Sequence, residues 1–391
     1  MTAQNPPSAA PLDLLYSEAE EELRTAVRSL LASRCDAAGI LARIEGGRPH
    51  DPALWRVLAA DIGTAGLLVP EKLGGQGASH REAAVVLEEL GRAAAPVPYL
   101  TSAVLATEIL LGCDGAESAD LLRELAAGRQ ICAPALPLTL APGAPLPAPV
   151  RHTGTGTGTD PGAATGAGTL SGTVTSVADA VSADVLLVLA DTGLYAVPAG
   201  AAGVSLTPLV ALDLTRPLAA VTFDAAPGTR LADPATARAA IAGALLSSAG
   251  LLASEQLGLA EWCLTQAVAH LRTRHQFNRP LGSFQALKHR LARLWLDVAS
   301  ARAAARAAAD ALATGASDAP LTVAVAQAYC SGVAVRTAEE CVQLHGGIGM
   351  TWEHPAHLYL KRAKADSLAL GTVGHHRGLV ADFAELPAPA P

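Results

Sequence analysis

Aromatic residues are scarce in this chain of 391 residues: four Trp, five Tyr and four Phe, although half of all positions are hydrophobic. Without large rings the core must be filled by Ala and Leu, which favours closely packed helices. Positive charge is also short. A net charge of -8 leaves no electrostatic case for nucleic acid or an anionic membrane surface. The six cysteines (Cys35, Cys113, Cys132, Cys263, Cys330, Cys341) include no C-x-x-C pair and no histidine at metal-ligand spacing. They read as buried small hydrophobes in a reducing compartment, and no metal site is expected. The first residues lack a basic segment followed by an apolar run, so no secretion signal is expected. No uninterrupted apolar run reaches the roughly 18 residues of a membrane span. A soluble cytoplasmic protein is the expectation. Walker, G-x-G-x-x-G and nucleophile-elbow patterns are absent as well.

The pattern along the chain changes character twice. Ser17 and Glu20 form a capping box before Leu23, Val27, Leu30 and Leu31 at helical spacing. Further helices are predicted near Pro52 to Ala60, His80 to Ala94 and Pro98 to Leu111, with a glycine-rich break from Gly63 to Gly77. After about Ile131 proline and glycine rise, and Thr153 to Gly168 is a Gly/Thr/Ala tract that reads as loop. Short β-type runs follow at Leu170 to Val174, Val185 to Leu189, Leu194 to Val197, Gly203 to Leu206 and Ala220 to Phe223. From Ala235 the helical pattern returns and includes the alanine-rich stretch Val298 to Leu312. The expected domains are therefore helical over 1–130, a small β-domain over 131–234, and a four-helix-type domain over 235–391, an α+β chain.

Two segments carry chemistry. Arg274-His275-Gln276-Phe277-Asn278-Arg279-Pro280-Leu281-Gly282-Ser283-Phe284-Gln285 supplies a cation on a turn. Gln343-Leu344-His345-Gly346-Gly347-Ile348-Gly349 supplies backbone without side chains. A diphosphate needs both a fixed cation and close backbone approach. Taken alone, each is ordinary: arginine is usually a solvated charge and Gly-Gly usually a turn. Paired in this order within helical sequence, they resemble the acyl-CoA dehydrogenase family. So do "G-L-L-V-P-E", "G-G-x-G" and "V-L-E-E-L-G-R" in the first domain, and the helical, β, helical order.

The resemblance implies FAD, its ADP half held across a subunit interface by Arg274, Gln276, Phe277, Phe284, Gln285, Gln343, Gly346, Gly347 and Thr372. It implies α,β-dehydrogenation of an acyl-CoA or acyl-carrier thioester, in a homo- or hetero-oligomer, dimer or tetramer. Such a reaction needs a carboxylate to take the α-proton while the β-hydrogen leaves as hydride. In most of the family that glutamate precedes a Gly-Thr pair, where this chain has Leu370 before Gly371 and Thr372. The family's other base position, about 26 residues before the arginine, falls on Ser248, between Ser247 and Ala249. The nearest carboxylate on that helix is Glu255, about 10 Å further along the same face, and it is the candidate base; Asp366 ranks behind it. The family's Thr-Glu-Pro-x-x-Gly-Ser segment, which contacts the flavin ring, has no counterpart between Ile131 and Pro149, and Trp55, Trp262, Trp295 and Trp352 all lie outside the β-domain.

A chain with the ADP-binding residues but without ring segment or base can complete the FAD site of a partner. The stretch Gln343 to Lys361 resembles an actinobacterial branch in which some enzymes are heterotetramers of two unlike chains. The competing readings are a self-sufficient enzyme with an atypical base, and a structural or regulatory homologue without flavin. Trp352, Glu353, His354 and His357 read as a loop entering a helix, with the histidines fixing its geometry. His375-His376-Arg377 reads as a solvated helix start.

Overall fold

The computed structural model describes residues 13–154 and 168–387. The predicted capping box is present: Ser17 caps α1 (Glu18–Arg34) and Glu20 returns a carboxylate to the Ser17 N–H. Then come α2 (Ala37–Glu45) and α3 (Pro52–Arg56), the latter running into a wide turn over Val57–Asp61, and then α4 (His80–Ala93). A π-helical segment, Tyr99–Ala106, continues into α5 (Thr107–Leu111), and α6 (Ala116–Ala126) closes the first helical unit.

The middle unit holds two four-stranded sheets. One has the order β1 (Cys132–Pro134), β4 (Val185–Ala190), β5 (Gly193–Pro198), β8 (Thr229–Ala232), with β1 parallel to β4 and the rest antiparallel. The other is antiparallel: β2 (Arg151–Gly154), β3 (Gly168–Ala178), β7 (Leu218–Pro227), β6 (Val204–Pro208). Alternate residues of both, among them Val174, Leu186, Val188, Val221 and Phe223, meet in a core of their own. Four of the five predicted runs lie within strands, and the fifth, Gly203 to Leu206, starts one residue before β6, with Gly203 in the turn. β1, β2 and β8, each three or four residues long, are too short for period-2 alternation to register. Most of the Gly/Thr tract lies outside the described residues, but Thr153, Gly154 and Gly168 belong to β2 and β3. Loop was the wrong assignment for these ends, because pairing partners outweigh glycine's weak strand preference.

The last unit is built on α7 (Pro234–Thr273), 40 residues long and so about 60 Å. It packs against α4, α8 (Gln285–Ala313), α9 (Ala319–His345) and α10 (Ala356–Asp366), and α11 (Val373–Phe383) lies on α9. Asp233 caps its start and Pro234 takes the first turn, where a missing N–H costs nothing. Among the described residues α7 is the one helix long and apolar enough to cross a membrane, yet most of that stretch is buried within the protein. Ala and Leu do fill the core, as the shortage of rings requires: Leu251, Leu252, Leu257 and Leu259 are each at most 1% exposed. Small residues also set the helix spacing. A Cβ on Gly258 would lie 1.9 Å from the Glu88 carbonyl, and one on Gly91 2.1 Å from that of Glu255, so α4 and α7 touch backbone to backbone.

Candidate functional site

The two diagnostic motifs meet at one end of the bundle. α7 stops at Arg274, whose backbone is extended, and the chain turns through a small hairpin, β9 (His275–Gln276) against β10 (Arg279–Pro280). Its two turn residues, Phe277 and Asn278, have φ of 52° and 59°. Asn tolerates that conformation and Phe does not, so the turn holds Phe277 under strain. The phenyl ring is 86% exposed and touches Phe284 edge-on, while Arg279 covers the Phe284 face at 3.8 Å. Arg274, Gln276 and Gln285 are exposed, and the Arg274 guanidinium has no ion-pair partner among the described residues.

The end of α9 stands beside this hairpin. Leu344 packs with Leu271 and Leu281, and the His345 ring meets that of His270 at 4.4 Å between centroids, tilted by 34°. Gln343, Gly346 and Gly347 are exposed. Gly346 has φ 64° and ψ -138°, a conformation closed to other residues. Gly347 has no such demand, and a Cβ there would find nothing within 4 Å. Nothing in this chain's own fold requires glycine at 347.

Thr372 belongs to a different place. It caps α11 by accepting from the His375 N–H, two residues beyond Leu370. Leu370 is 1% exposed, with φ 52°, and its N–H donates to the Leu138 carbonyl at 2.8 Å. Around it Leu105, Leu136, Leu138 and Leu245 close on a residual cavity of about 10 Å³, room for about one water. The one polar side chain lining it, Thr101, gives its hydroxyl to Asp179 at 2.6 Å. Burial pushes the Asp179 carboxyl up to about 6. His375 and His376 are not a solvated helix start: His376 is 1% exposed and bonds the Leu370 carbonyl at 2.9 Å, and His375 bonds that of Pro142 at 3.0 Å. The Pro142 carbonyl lies 233 residues away in the chain, which one-dimensional pattern cannot reveal.

Ser248 is fully buried, its hydroxyl without a partner among the described residues. Its neighbour Ser247 donates to Glu108 at 3.2 Å, and the other Glu108 oxygen meets His80 at 3.1 Å.

Glu255 is buried between two guanidinium groups. Arg216 lies 2.7 Å from both of its oxygens and Arg362 2.6 Å from one. Burial pushes its pKa up, but the charges and hydrogen bonds of Arg216 and Arg362 prevail and hold it below the ordinary value. Arg216 also holds Asp366 at 2.6 Å, while Arg362 reaches Asp213 and Thr215. Asp366 is pushed up to about 7, first by burial and then by the Glu255 charge. The cluster ties the segment between β6 and β7 to α7 and α10. Sequence pattern missed it, because Asp213-Leu214-Thr215-Arg216 reads as an ordinary surface turn; the i, i+4 spacing of Arg362 and Asp366 was the one local signal. A cavity of about 320 Å³ between α1, α2, α4, α7 and α10 includes none of the predicted site residues.

The helical, β, helical order, with the two motifs brought together at one end, is the arrangement expected of an acyl-CoA dehydrogenase. Family models agree: "Acyl-CoA dehydrogenase, N-terminal domain" matches residues 17–129 and "Acyl-CoA dehydrogenase, C-terminal domain" residues 238–384. The chain is 34% identical over 357 residues to Acyl-CoA dehydrogenase IpdE2 of Mycobacterium tuberculosis, covering 90% of this chain and 93% of that one. Among solved structures it resembles the ChsE4-ChsE5 complex from Mycobacterium tuberculosis (30% identity, TM-score 0.82, 96% and 100% covered). It also resembles the Tcur3481-Tcur3483 steroid ACAD G363A variant (30%, TM-score 0.80, 94% and 98%). This chain belongs to the acyl-CoA dehydrogenase family.

Proposed function

We propose that this chain is the supporting subunit of a heteromeric, FAD-dependent acyl-CoA dehydrogenase. It presents Arg274, Gln276, Phe277, Phe284, Gln285, Gln343, Gly346 and Gly347 to the ADP half of a flavin whose ring lies in a homologous partner. That partner supplies the carboxylate base. The observation that carries the reading is the contrast between the two ends. The ADP end is open, with an unpaired Arg274 and a glycine at 347 that only an outside group requires. The ring end is shut, with about 10 Å³ left around Leu370. The resemblance to two-protein assemblies supports a partner of the same family.

Bound FAD would supply the acceptor for the β-hydrogen that leaves the acyl thioester as hydride. The Arg274 guanidinium holds the pyrophosphate charge, and backbone at Gly346 and Gly347 approaches it without side chains in the way. Phe277, kept outward by its strained turn, gives an apolar surface to the partner or the adenine. Thr372, capping α11 at the closed end, has no such role, and Glu255, with both oxygens held by arginines, acts as a structural counter-ion. The substrate is an acyl-CoA; the 30% likeness to a steroid ACAD supports a bulky polycyclic acyl group.

The test is expression alone and together with a glutamate-bearing homologue, reading absorbance near 450 nm and turnover with an artificial electron acceptor. The chain alone is expected colourless and inactive, the pair yellow and active. Arg274→Ala in the pair removes a charge-assisted contact worth about 1.5–3 kcal/mol, roughly 10- to 150-fold in FAD affinity. Turnover by the chain alone, or unchanged flavin retention in Arg274→Ala, would overturn the proposal.

A further inference from the structure

Three imidazoles form a column behind the Gly346–Gly347 turn. His345, the last residue of α9, meets the rings of His270 at 4.4 Å and His354 at 4.3 Å between centroids, tilted by 34° and 43°. Each ring sits at a joint. The His270 carbonyl accepts the Arg274 N–H at 2.8 Å, so this residue sets where α7 ends and Arg274 begins. His345 immediately precedes Gly346, and its Nδ1–H donates to the Cys341 carbonyl at 2.7 Å. His354 accepts the Ala356 N–H at 3.2 Å and so fixes the start of α10. One run of ring contacts therefore joins the arginine, the diglycine turn and the following helix, beside the apolar packing of Leu271, Leu281 and Leu344 and of Cys263, Cys341 and Ala356.

We propose that the His270–His345–His354 column is a clasp that positions the Gly346–Gly347 turn against Arg274, and that a second proton on the column opens it. The positioning role rests on the function proposed above; the clasp itself does not.

The charge environment sets the direction. The groups facing the column are Cys263, His270 and Arg274 on α7, Cys341 and His345 on α9, and His354 and His357 on the loop, with Lys361 of α10 beside His357. His270 is held low by burial, then by His345 and Arg274. His354 is held low by burial, then by His345, His270 and His357. His345 is held up, mainly by the Cys341 thiol, which itself falls to about 6, first through its hydrogen bond with Cys263. The column thus accommodates one charge, on His345. In an open loop His270 and His354 regain the ordinary value near 6.5. The closed state therefore loses stability as pH falls below that value, whereas the His345 contribution, present at low pH, is lost as pH rises through its raised pKa. Closure is strongest near neutrality.

Amide hydrogen exchange of residues 346–352 in the full chain, corrected for intrinsic rates, tests the clasp without any flavin. Protection is expected to fall about tenfold between pH 7.5 and 5.5, while residues 330–340 in the interior of α9 stay unchanged. Replacing both His270 and His354 with Phe keeps three rings in contact, removes the two imidazoles that gain protons on opening and should flatten the dependence; His345→Ala should lose protection at both pH values. Protection independent of pH in the wild type, or a full wild-type dependence in the doubly substituted chain, overturns the clasp. FAD retention by the chain assembled with a glutamate-bearing homologue is the second readout and should fall over the same window. If exchange responds but retention does not, the turn does not support the cofactor, and the positioning role falls together with the ADP-site reading.

Discussion

Replacing Glu255 with Gln separates a structural carboxylate from a catalytic base. Glu255 is 1% exposed and shares its two oxygens between Arg216 and Arg362. With Asp366 pushed up to about 7 and so only partly ionised near neutrality, the two arginines are balanced mainly by Glu255 and Asp213. The amide leaves buried positive charge only partly compensated; a fully unpaired buried charge costs about 3–5 kcal/mol. Asp366 limits the loss: relieved of the Glu255 charge that helps raise its pKa, it ionises more readily and takes over part of the neutralisation. A cost near the lower bound, about 3 kcal/mol, corresponds to a fall in melting temperature of roughly 6–12 °C for a cooperative unit of 150–250 residues. Differential scanning calorimetry at pH 7.5 reads this directly, with turnover of the assembled heteromer measured in parallel. A catalytic base behaves in the opposite way, since its amide keeps the fold and abolishes the chemistry. Wild-type melting with lost turnover in Glu255→Gln would refute the counter-ion assignment and reinstate Glu255 as the base.

Three further outcomes follow from the same geometry. Asp366, whose folded pKa is raised to about 7 from an unfolded value near 3.9, contributes stability that is complete below the unfolded value and lost as pH rises through 7; Asp366→Asn should therefore melt higher than wild type at pH 8, with the difference vanishing near pH 4. Gly347→Val should leave melting of the chain alone unchanged, because its Cβ site is empty, yet lower flavin retention in the assembled complex; Gly346→Val should also disturb the chain itself, as its φ of 64° admits only glycine without strain. Leu370→Glu, which restores the family's carboxylate, should give no activity to the chain alone and should lower its melting temperature, since an unpaired carboxylate would enter a site with about 10 Å³ of free space; turnover in that variant would show that the cavity opens.

Sequence alone determined the features that rest on local rules. The capping box at Ser17, the helices of the first unit, five strands and the long apolar α7 all follow from side-chain periodicity and end signals, which act over a few residues. The pairing of Arg274 with Gly346 and Gly347, and the missing glutamate at Leu370, were legible because motif spacing survives without knowledge of the fold. Tertiary structure decided the rest. The sequence placed Glu255 on the right helix and face, but only the fold brought Arg216 from a loop 39 residues before it and Arg362 from a helix 107 residues after it to occupy both oxygens. Nor could periodicity show that Leu105, Leu136, Leu138, Leu245 and Leu370, five unremarkable positions on four segments, converge to close the ring end, or that three histidines from α7, α9 and the following loop come into ring contact. Charge balance, cavity volume and ring contact are sums over residues distant in the chain, and they take a value only once the backbone has brought those residues together.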